Sequence, residues 1–211
     1  GIGRITRFDA TGCTAQIAGE VKNYDPARPL PAPLQPRGPG SEPMAQALRL
    51  CPGLLRVSGS HDMYSRASRA VFGLIGAYAP VVEKVSVDEA YLDLTGTELL
   101  HGRAVDAAER MRREIRERLR LDVTVGVAHN RLVAKVASTF AKPRGIFDVQ
   151  RNQAPRFFAP LPVKSLPGIG PVTTARLRDF HIDLLGVLAR TESWFLERVF
   201  GVHGPAMQIR A

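Results

Sequence analysis

Apolar side chains recur every three or four positions in three stretches of the chain, which is the period of an amphipathic α-helix. The first stretch begins at Ser60 or Asp62, either of which can cap a helix, and it reaches about Tyr78. The second, residues 103–119, is strongly charged outside its apolar side. The third, residues 130–140, begins at an asparagine that can serve as its cap. We therefore predict three helices in the middle of the chain.

Three other stretches lack the helical period and predict β-structure. Residues 82–94 indicate a strand or one arm of a hairpin, residues 122–128 indicate a buried strand, and residues 146–149 indicate a further strand. Helices and strands therefore alternate through this part of the chain. That order favours an α+β layer with the helices on one face of a sheet.

The two ends of the chain differ from this middle part. Seven prolines fall within residues 24–43, and proline fixes φ and lacks an N–H donor, so an extended or disordered segment is expected there. Residues 2–21 predict a short strand or two, and a short helix is expected from Met44. After Pro155, short helical stretches joined by glycine turns predict a small, separate all-α domain.

The charge of the chain narrows the range of partners. Lysine and arginine number 29 against 20 acidic residues, which gives a net charge of +9 spread along the whole length. Such an excess suits a polyanion, nucleic acid first and an anionic membrane surface second. At this point the alternative, a basic protein that has no such partner, remains open.

The cysteines and the hydropathy exclude several other classes. Cys13 and Cys51 form no CxxC motif and no metal-ligand spacing with the five histidines, so neither a disulfide framework nor a zinc site is indicated. No apolar run approaches the roughly 18 residues of a membrane span, and the first residues lack the layout of a signal peptide. We expect no membrane association and a cytoplasmic location.

An acidic pair stands out in residues 86–96, whose sequence is SVDEAYLDLTG. Asp88 and Glu89 are adjacent carboxylates in what looks like an apolar strand, where burial is costly unless a cation lies nearby. Mg²⁺ takes one or two carboxylates together with substrate phosphates. The pair therefore suggests a magnesium site, although adjacent acidic residues at a solvated hairpin end are common.

Basic residues cluster after the strand that is predicted at residues 122–128. The sequence GVAHNRLVAKVAS, residues 126–138, places Lys135 on the third predicted helix, and the turn AKPRG that follows presents Lys142 and Arg144. Cations in this arrangement can contact phosphates. The alternative to phosphate contact is that these basic residues lie on a solvent-exposed helix face.

A glycine-rich turn opens the C-terminal part. In LPGIGPVTTARL, residues 166–177, Gly168 and Gly170 flank Ile169 and precede a helix. Glycines let backbone N–H groups approach a phosphate closely, and the helix N-terminus behind them adds partial positive charge. The pattern looks like a helix-hairpin-helix, which holds the DNA backbone independently of sequence.

These three motifs, in this order and spacing, resemble Y-family (translesion) DNA polymerases of the bacterial DNA polymerase IV type over about residues 43–211. The pattern Ser-aliphatic-Asp-Glu-Ala-aromatic-Leu-Asp is highly specific to that family. The resemblance implies that Asp88 is shared by two Mg²⁺ ions, that Glu89 is the neighbouring ligand, that Lys142 holds the triphosphate of the nucleotide, and that Lys135 lies near the primer-template.

The resemblance also implies a domain plan and a set of partners. Residues 1–42 are an unmatched segment, residues 43–150 are a fingers remnant and a partial ferredoxin-like palm, and residues 151–211 are a small all-α helix-hairpin-helix thumb. Residues 168–170 would bind DNA. The expected partners are primer-template DNA, a deoxynucleoside triphosphate and, through a C-terminal part that this chain lacks, a sliding clamp.

The sequence departs from the family at three places. Residues 1–42 contain no Asp-x-Asp-x-aromatic-aromatic motif, and Asp9 is only a weak stand-in for its metal ligand. His181 stands where glycine is usual, which is expected to distort the turn, and Arg131 replaces lysine with its charge kept. We therefore expect a truncated or frameshifted gene product: an error-prone polymerase of impaired activity or, alternatively, a non-catalytic DNA-binding remnant or accessory factor.

Overall fold

The computed structural model describes residues 21–23, 49 and 60–211. Within these ranges the strands are β1 (Val21–Asn23), β2 (Val81–Lys84), β3 (Ala90–Asp93), β4 (Thr124–Ala128) and β5 (Gly145–Val149). The helices are α1 (His61–Ile75), α2 (Glu98–His101), α3 (Ala104–Leu119), α4 (Arg131–Phe140), α5 (Ala154–Phe158), α6 (Pro171–Asp179), α7 (Leu185–Arg190), α8 (Ser193–Phe200) and α9 (His203–Arg210). The predicted α+β class is confirmed.

The strands form two sheets. β5 lies between β1 and β4 and pairs with both in parallel, so that Ile146 is opposite Val21 on one side and Val125 on the other. β2 and β3 form a separate antiparallel hairpin, in which Glu83 pairs with Tyr91. Residues 82–94, predicted as one strand or hairpin arm, are thus two short strands with a turn between them.

Helices cover both faces of the three-stranded sheet, so the predicted one-faced arrangement is wrong. Every residue of β4 and β5 is buried. Successive side chains point to opposite faces, so that Phe147 and Val149 pack with α4 whereas Ile146 packs with α1 and α3. A parallel sheet that is apolar on both faces has to be covered on both.

Helix α4 approaches β4 at backbone distance because of Gly126. A Cβ atom at this position would lie 1.9 Å from the Ala134 carbonyl oxygen and 2.6 Å from the Ser138 amide nitrogen. No side chain fits in that space, so the helix rests directly on the strand. This contact fixes the position of α4 relative to the sheet.

The predicted helix starts are confirmed at two residues. Ser60, rather than Asp62, caps α1, because its side chain accepts a hydrogen bond from the Met63 amide at 3.3 Å. Asn130 caps α4 in the same way, accepting from the Val133 amide at 2.8 Å. Helix α1 ends three residues earlier than expected, at Ile75.

The C-terminal helices share a continuous apolar core with α4 and β5. Phe157 contacts Phe140 and Phe147, with ring centroids 5.4 and 5.6 Å away. Leu177, Leu188 and Leu196 extend the same core and are fully buried. The predicted all-α composition of this part is confirmed, and its helices are packed on the sheet layer.

The turn after α6 keeps a left-handed residue although glycine is absent. His181 adopts φ +58°, and the following Ile182 is buried and donates its amide hydrogen to the Leu177 carbonyl at 3.0 Å. The substitution of glycine therefore leaves the turn in place and adds backbone strain at His181.

Several predictions of the sequence lie outside the described residues: Asp9, Cys13, Cys51, the extended segment 24–43 and the helix from Met44. Among the residues that are described, no helix is both long and apolar enough to cross a membrane.

Replacing Gly126 by alanine is expected to destabilise the protein by about 3 kcal/mol, because the new methyl group meets backbone atoms that cannot rotate away. Gly73 on α1 is the matched control, since a Cβ there meets nothing within 4 Å. Gly73→Ala should raise stability by about 0.5–1 kcal/mol. Chemical denaturation of both variants measures the difference, and equal stabilities would contradict the close approach.

His181→Gly is expected to raise the free energy of unfolding by up to about 1 kcal/mol, because relief of the left-handed strain exceeds the entropy cost of glycine. For a chain of this size the melting temperature should rise by roughly 2–4 °C. Arg120, at φ +57°, is a second position where glycine should stabilise the protein. A fall in melting temperature for both variants would contradict the assignment of strain.

Candidate functional site

Asp88 and Glu89 lie in the turn between β2 and β3, not inside a strand as the sequence suggested. Strand pairing ends at the pair Lys84 and Ala90. The Glu89 carbonyl then accepts hydrogen bonds from the amide of Val85 at 2.9 Å and from the next amide at 3.2 Å, which closes the turn. Both acidic residues are half-buried in this turn, which forms the tip of the hairpin.

Ser86 holds the first of these carboxylates. Its hydroxyl donates to Asp88 Oδ1 at 2.5 Å and accepts from the Asp88 amide at 3.3 Å. These two bonds fix the Asp88 side chain against its own backbone. The serine of the acidic motif therefore has a local structural role that its sequence position alone did not reveal.

Lys135 on α4 is the partner of the second carboxylate. Its Nζ lies 2.5 Å from Glu89 Oε1, and the two side chains are 34% and 13% exposed, respectively. The residues are separated by 46 positions in the chain, so the ion pair joins α4 to the tip of the hairpin. A charge-assisted bond in this partly buried place is stronger than a surface pair.

Arg131 adds a second link between the same two elements. Its guanidinium lies over the Tyr91 ring, 4.2 Å from the centroid, and donates to Glu83 at 2.5 Å. Burial raises the pKa of Tyr91, while the neighbouring Lys135 acts in the opposite direction. Arginine stacks on aromatic rings better than lysine does, so the replacement of lysine here is more than a conserved charge.

The two cations of the turn after α4 have different surroundings. Arg144, which the sequence presented as a phosphate contact, is 14% exposed and pairs with Asp122 at 3.5 Å. In this arrangement Arg144 stabilises the fold through its ion pair with Asp122. Lys142 is half-buried immediately after α4 and precedes β5, whose N-terminal residue is Gly145. Its role as a triphosphate ligand stays a prediction.

The carboxylate oxygens of Asp88 and Glu89 are of the type that Mg²⁺ binds, but they are too few to hold two ions. Within residues 60–211 no group of three or more histidine, cysteine, aspartate or glutamate side chains comes together, so Asp88 and Glu89 are a pair. Mg²⁺ keeps several waters and completes its shell with substrate phosphates, and two carboxylates therefore fit one such site. The ligand roles of both residues stay predictions.

The glycine turn has the form that the sequence predicted for a hairpin. Gly168 adopts φ +96°, which favours glycine, and Gly170 precedes α6 with open space where a Cβ would lie. Ile169 between them is 7% exposed and anchors the turn in the core. Pro171 begins the helix, as is common for a first helical residue. The glycines thus leave the backbone accessible, and their contact with DNA stays a prediction.

Two family models match the chain. The impB/mucB/samB family model matches residues 40–139, and the model of the IMS family HHH motif matches residues 151–182. Together they cover both carboxylates, Lys135 and the glycine hairpin.

The chain is also similar to characterised proteins. It is 42% identical over 162 residues to a DNA polymerase IV of Ralstonia nicotianae, an alignment that covers 77% of this chain and 45% of that protein. Its fold matches DinB from Sulfolobus solfataricus with a TM-score of 0.72 and 28% identity, covering 80% of this chain and 50% of the other. An insertion ternary complex of Dbh DNA polymerase matches equally well, with a TM-score of 0.72, 28% identity and coverage of 80% and 49%. The chain spans about half the length of these relatives.

Lys135→Met removes the cation beside Glu89 and keeps an apolar side chain of similar length. Without divalent ions the free energy of unfolding should fall by about 1–2 kcal/mol, because a carboxylate that is 13% exposed loses its partner. Added Mg²⁺ should then raise the melting temperature more than in the unmodified chain, because the ion no longer competes with Lys135. Calorimetry with and without Mg²⁺ measures both effects.

Arg131→Met is the matched control, since it removes a cation from the same helix whose partner, Glu83, is not a predicted ligand. Both of these side chains are about half exposed, so the stability loss should stay below about 1 kcal/mol and the effect of Mg²⁺ should be unchanged. An equal response of all three proteins to Mg²⁺ would refute competition at Glu89.

Proposed function

The chain belongs to the impB/mucB/samB family, the Y-family DNA polymerases, and we propose that it is a translesion DNA polymerase that extends a primer on a DNA template from deoxynucleoside triphosphates. The observation that carries this proposal is the acidic pair at the hairpin tip, which Ser86 and Lys135 hold from two sides. A cytoplasmic location and binding to a sliding clamp belong to the same proposal.

Each residue of the site has a role in this reaction. We assign Asp88 and Glu89 to hold Mg²⁺, which when bound neutralises phosphate charge and activates the primer hydroxyl. Lys142 is assigned to the triphosphate of the nucleotide, where its cation offsets the negative charge that builds up on the leaving group. Phosphoryl transfer depends mainly on positioning, so the links from α4 to the hairpin serve catalysis by keeping the carboxylates in place.

Lys135 has a further role within this proposal. Its cation compensates Glu89, and a Mg²⁺ ion held by Glu89 would take over that compensation and would leave Lys135 available to the primer-template. Because a half-buried carboxylate without a partner is unfavourable, this exchange keeps the hairpin ordered before substrate arrives. The same side chain therefore supports the site in both states.

We further propose that the 211-residue chain is slow on its own. Among residues 60–211 no group of three or more possible metal ligands comes together, whereas a pair of metal ions about 3.5–4 Å apart calls for more negative charge than Asp88 and Glu89 supply. The same observation favours the second candidate function, a DNA-binding remnant or accessory factor without catalysis. The two functions differ in one measurable property, Mg²⁺-dependent primer extension.

Primer extension by the chain and by Asp88→Asn tests the proposal. Any extension by the unmodified chain should fall by at least about 100-fold in the variant, because a charge that is needed in the transition state is removed. Binding to the same primer-template should stay equal in both, weaken steeply with salt and show no sequence preference, because the contacts are to phosphates. Asp106→Asn is the control, since that carboxylate pairs with Arg103 away from the hairpin.

The outcomes separate the candidates. Extension that Asp88→Asn removes and Asp106→Asn retains supports the polymerase. If the chain binds DNA without extending it, fusion of an Asp-x-Asp-x-aromatic-aromatic strand should bring extension that depends on Asp88, and failure of that fusion supports the accessory function. Extension that survives Asp88→Asn would overturn the site assignment.

A further inference from the structure

A cavity of about 380 Å³ lies beside the glycine hairpin, between α6, α8 and α9. Three basic side chains line it from two helices: Arg176 from α6, and His203 and Arg210 from α9. Thr173 and Gly168 complete its polar side, and none of the described residues that line it is acidic. The cavity is therefore positively charged and opens next to the turn that is proposed to bind DNA.

Arg210 ties this cavity to the hairpin. Its Nη2 donates to the Pro167 carbonyl at 2.6 Å, and its Nη1 lies 3.5 Å from the place where a Cβ of Gly168 would be. One side of the guanidinium is thus bound to the backbone of the turn. The other nitrogen–hydrogen groups of this planar donor are left for a second acceptor.

Arg176 is held on the opposite wall. Its guanidinium lies over the Phe200 ring, 5.5 Å from the centroid. Neither Arg176 nor Arg210 forms an ion pair with any acidic residue in the described part of the chain, whereas Arg178 on the same helix pairs with Asp183. Two guanidinium groups that face one cavity repel each other, and an anion between them would relieve that repulsion.

The rest of the cavity wall is apolar. Val199, Phe200, Ala206 and Met207 line it below the basic groups. A free phosphate would leave this surface uncovered. A DNA strand presents a phosphate beside the apolar face of a deoxyribose, so one nucleotide of backbone matches both parts of the wall.

We propose that this cavity binds a phosphate of the DNA backbone together with its neighbouring sugar, adjacent to the phosphate that the Gly168–Gly170 turn contacts. The proposal rests on the proposed function in two respects: the chain binds DNA, and the Gly168–Gly170 turn contacts a phosphate. Arg176, His203 and Arg210 contact the phosphate, and Phe200 and Ala206 pack against the sugar. The thumb would then hold two successive phosphates of one strand, the first through backbone amides and the second through side chains.

Binding of the full chain to a primer-template, measured against salt concentration, tests this site. Arg176→Gln should weaken binding and lower the slope of log K against log salt by about 0.9, the value for one phosphate contact on duplex DNA. Arg198→Gln on α8 is the matched control, because that arginine is exposed and does not line the cavity. Its binding should show a smaller loss and an unchanged slope.

A second variant fills the cavity without changing any charge. Ala206→Leu places a larger helix-forming side chain among the apolar lining residues. It should weaken binding as Arg176→Gln does, while its melting temperature stays close to that of the unmodified chain. In addition, a scan of the primer-template with single neutral methylphosphonates should find two adjacent sensitive positions, of which Arg176→Gln removes one.

The outcomes are distinct from those for the proposed function. If the unmodified chain does not bind the primer-template at all, the proposed function fails. If it binds, but Arg176→Gln leaves the salt slope and both methylphosphonate positions unchanged, the cavity proposal alone is overturned. The cavity proposal is supported if Arg176→Gln loses one of the two methylphosphonate-sensitive positions and Ala206→Leu binds the primer-template more weakly.

Discussion

The contact between helix α4 and strand β4 at Gly126 determines where the chemistry of this protein lies. With backbone atoms less than 3 Å from the space of a missing Cβ, the helix has a single depth and register on the sheet. Arg131 and Lys135 occupy the first two turns of that helix, and Lys142 follows its end. Without the close approach, the two cations would not reach the hairpin that carries Asp88 and Glu89.

The hairpin in turn depends on α4, since β2 and β3 pair only with each other within the described residues. An isolated two-stranded hairpin is marginally stable. Here the apolar face of β3 packs on α1 and α3, and the ion pair of Glu89 and the stack of Tyr91 fasten the other side. Helix α4 therefore both supports the acidic tip on this side and brings the compensating cations to it.

The sequence predicted those features that depend on neighbouring residues. The caps at Ser60 and Asn130 and the glycine turn follow from side chains within a few positions of one another. The position of Asp88 and Glu89 in a turn was missed, because the apolar residues around them are compatible with one strand or two. The packing of α1 on the sheet and the stack of Arg131 on Tyr91 depend on residues 40 or more positions apart. Periodicity carries no information at that range, although an uninterrupted apolar strand such as β4 was a signal for burial on both faces.

The distribution of charge explains how a net charge of +9 becomes useful in one place. On α3 two arginines pair with acidic residues three or four positions away, Arg112 with Glu109 and Arg118 with Glu114, and a third, Arg116, pairs with Asp122. Such pairs solubilise the outer helix and leave little field beyond a Debye length of about 10 Å at 0.1 M salt. In residues 151–211 basic side chains outnumber acidic ones by eight to four. Arg176 and Arg210, which line the cavity beside the Gly168–Gly170 turn, have no acidic partner among the described residues. The positive potential is therefore concentrated beside that turn. Because association with a polyanion follows the local potential, this part of the chain is where a polyanion would be attracted most strongly.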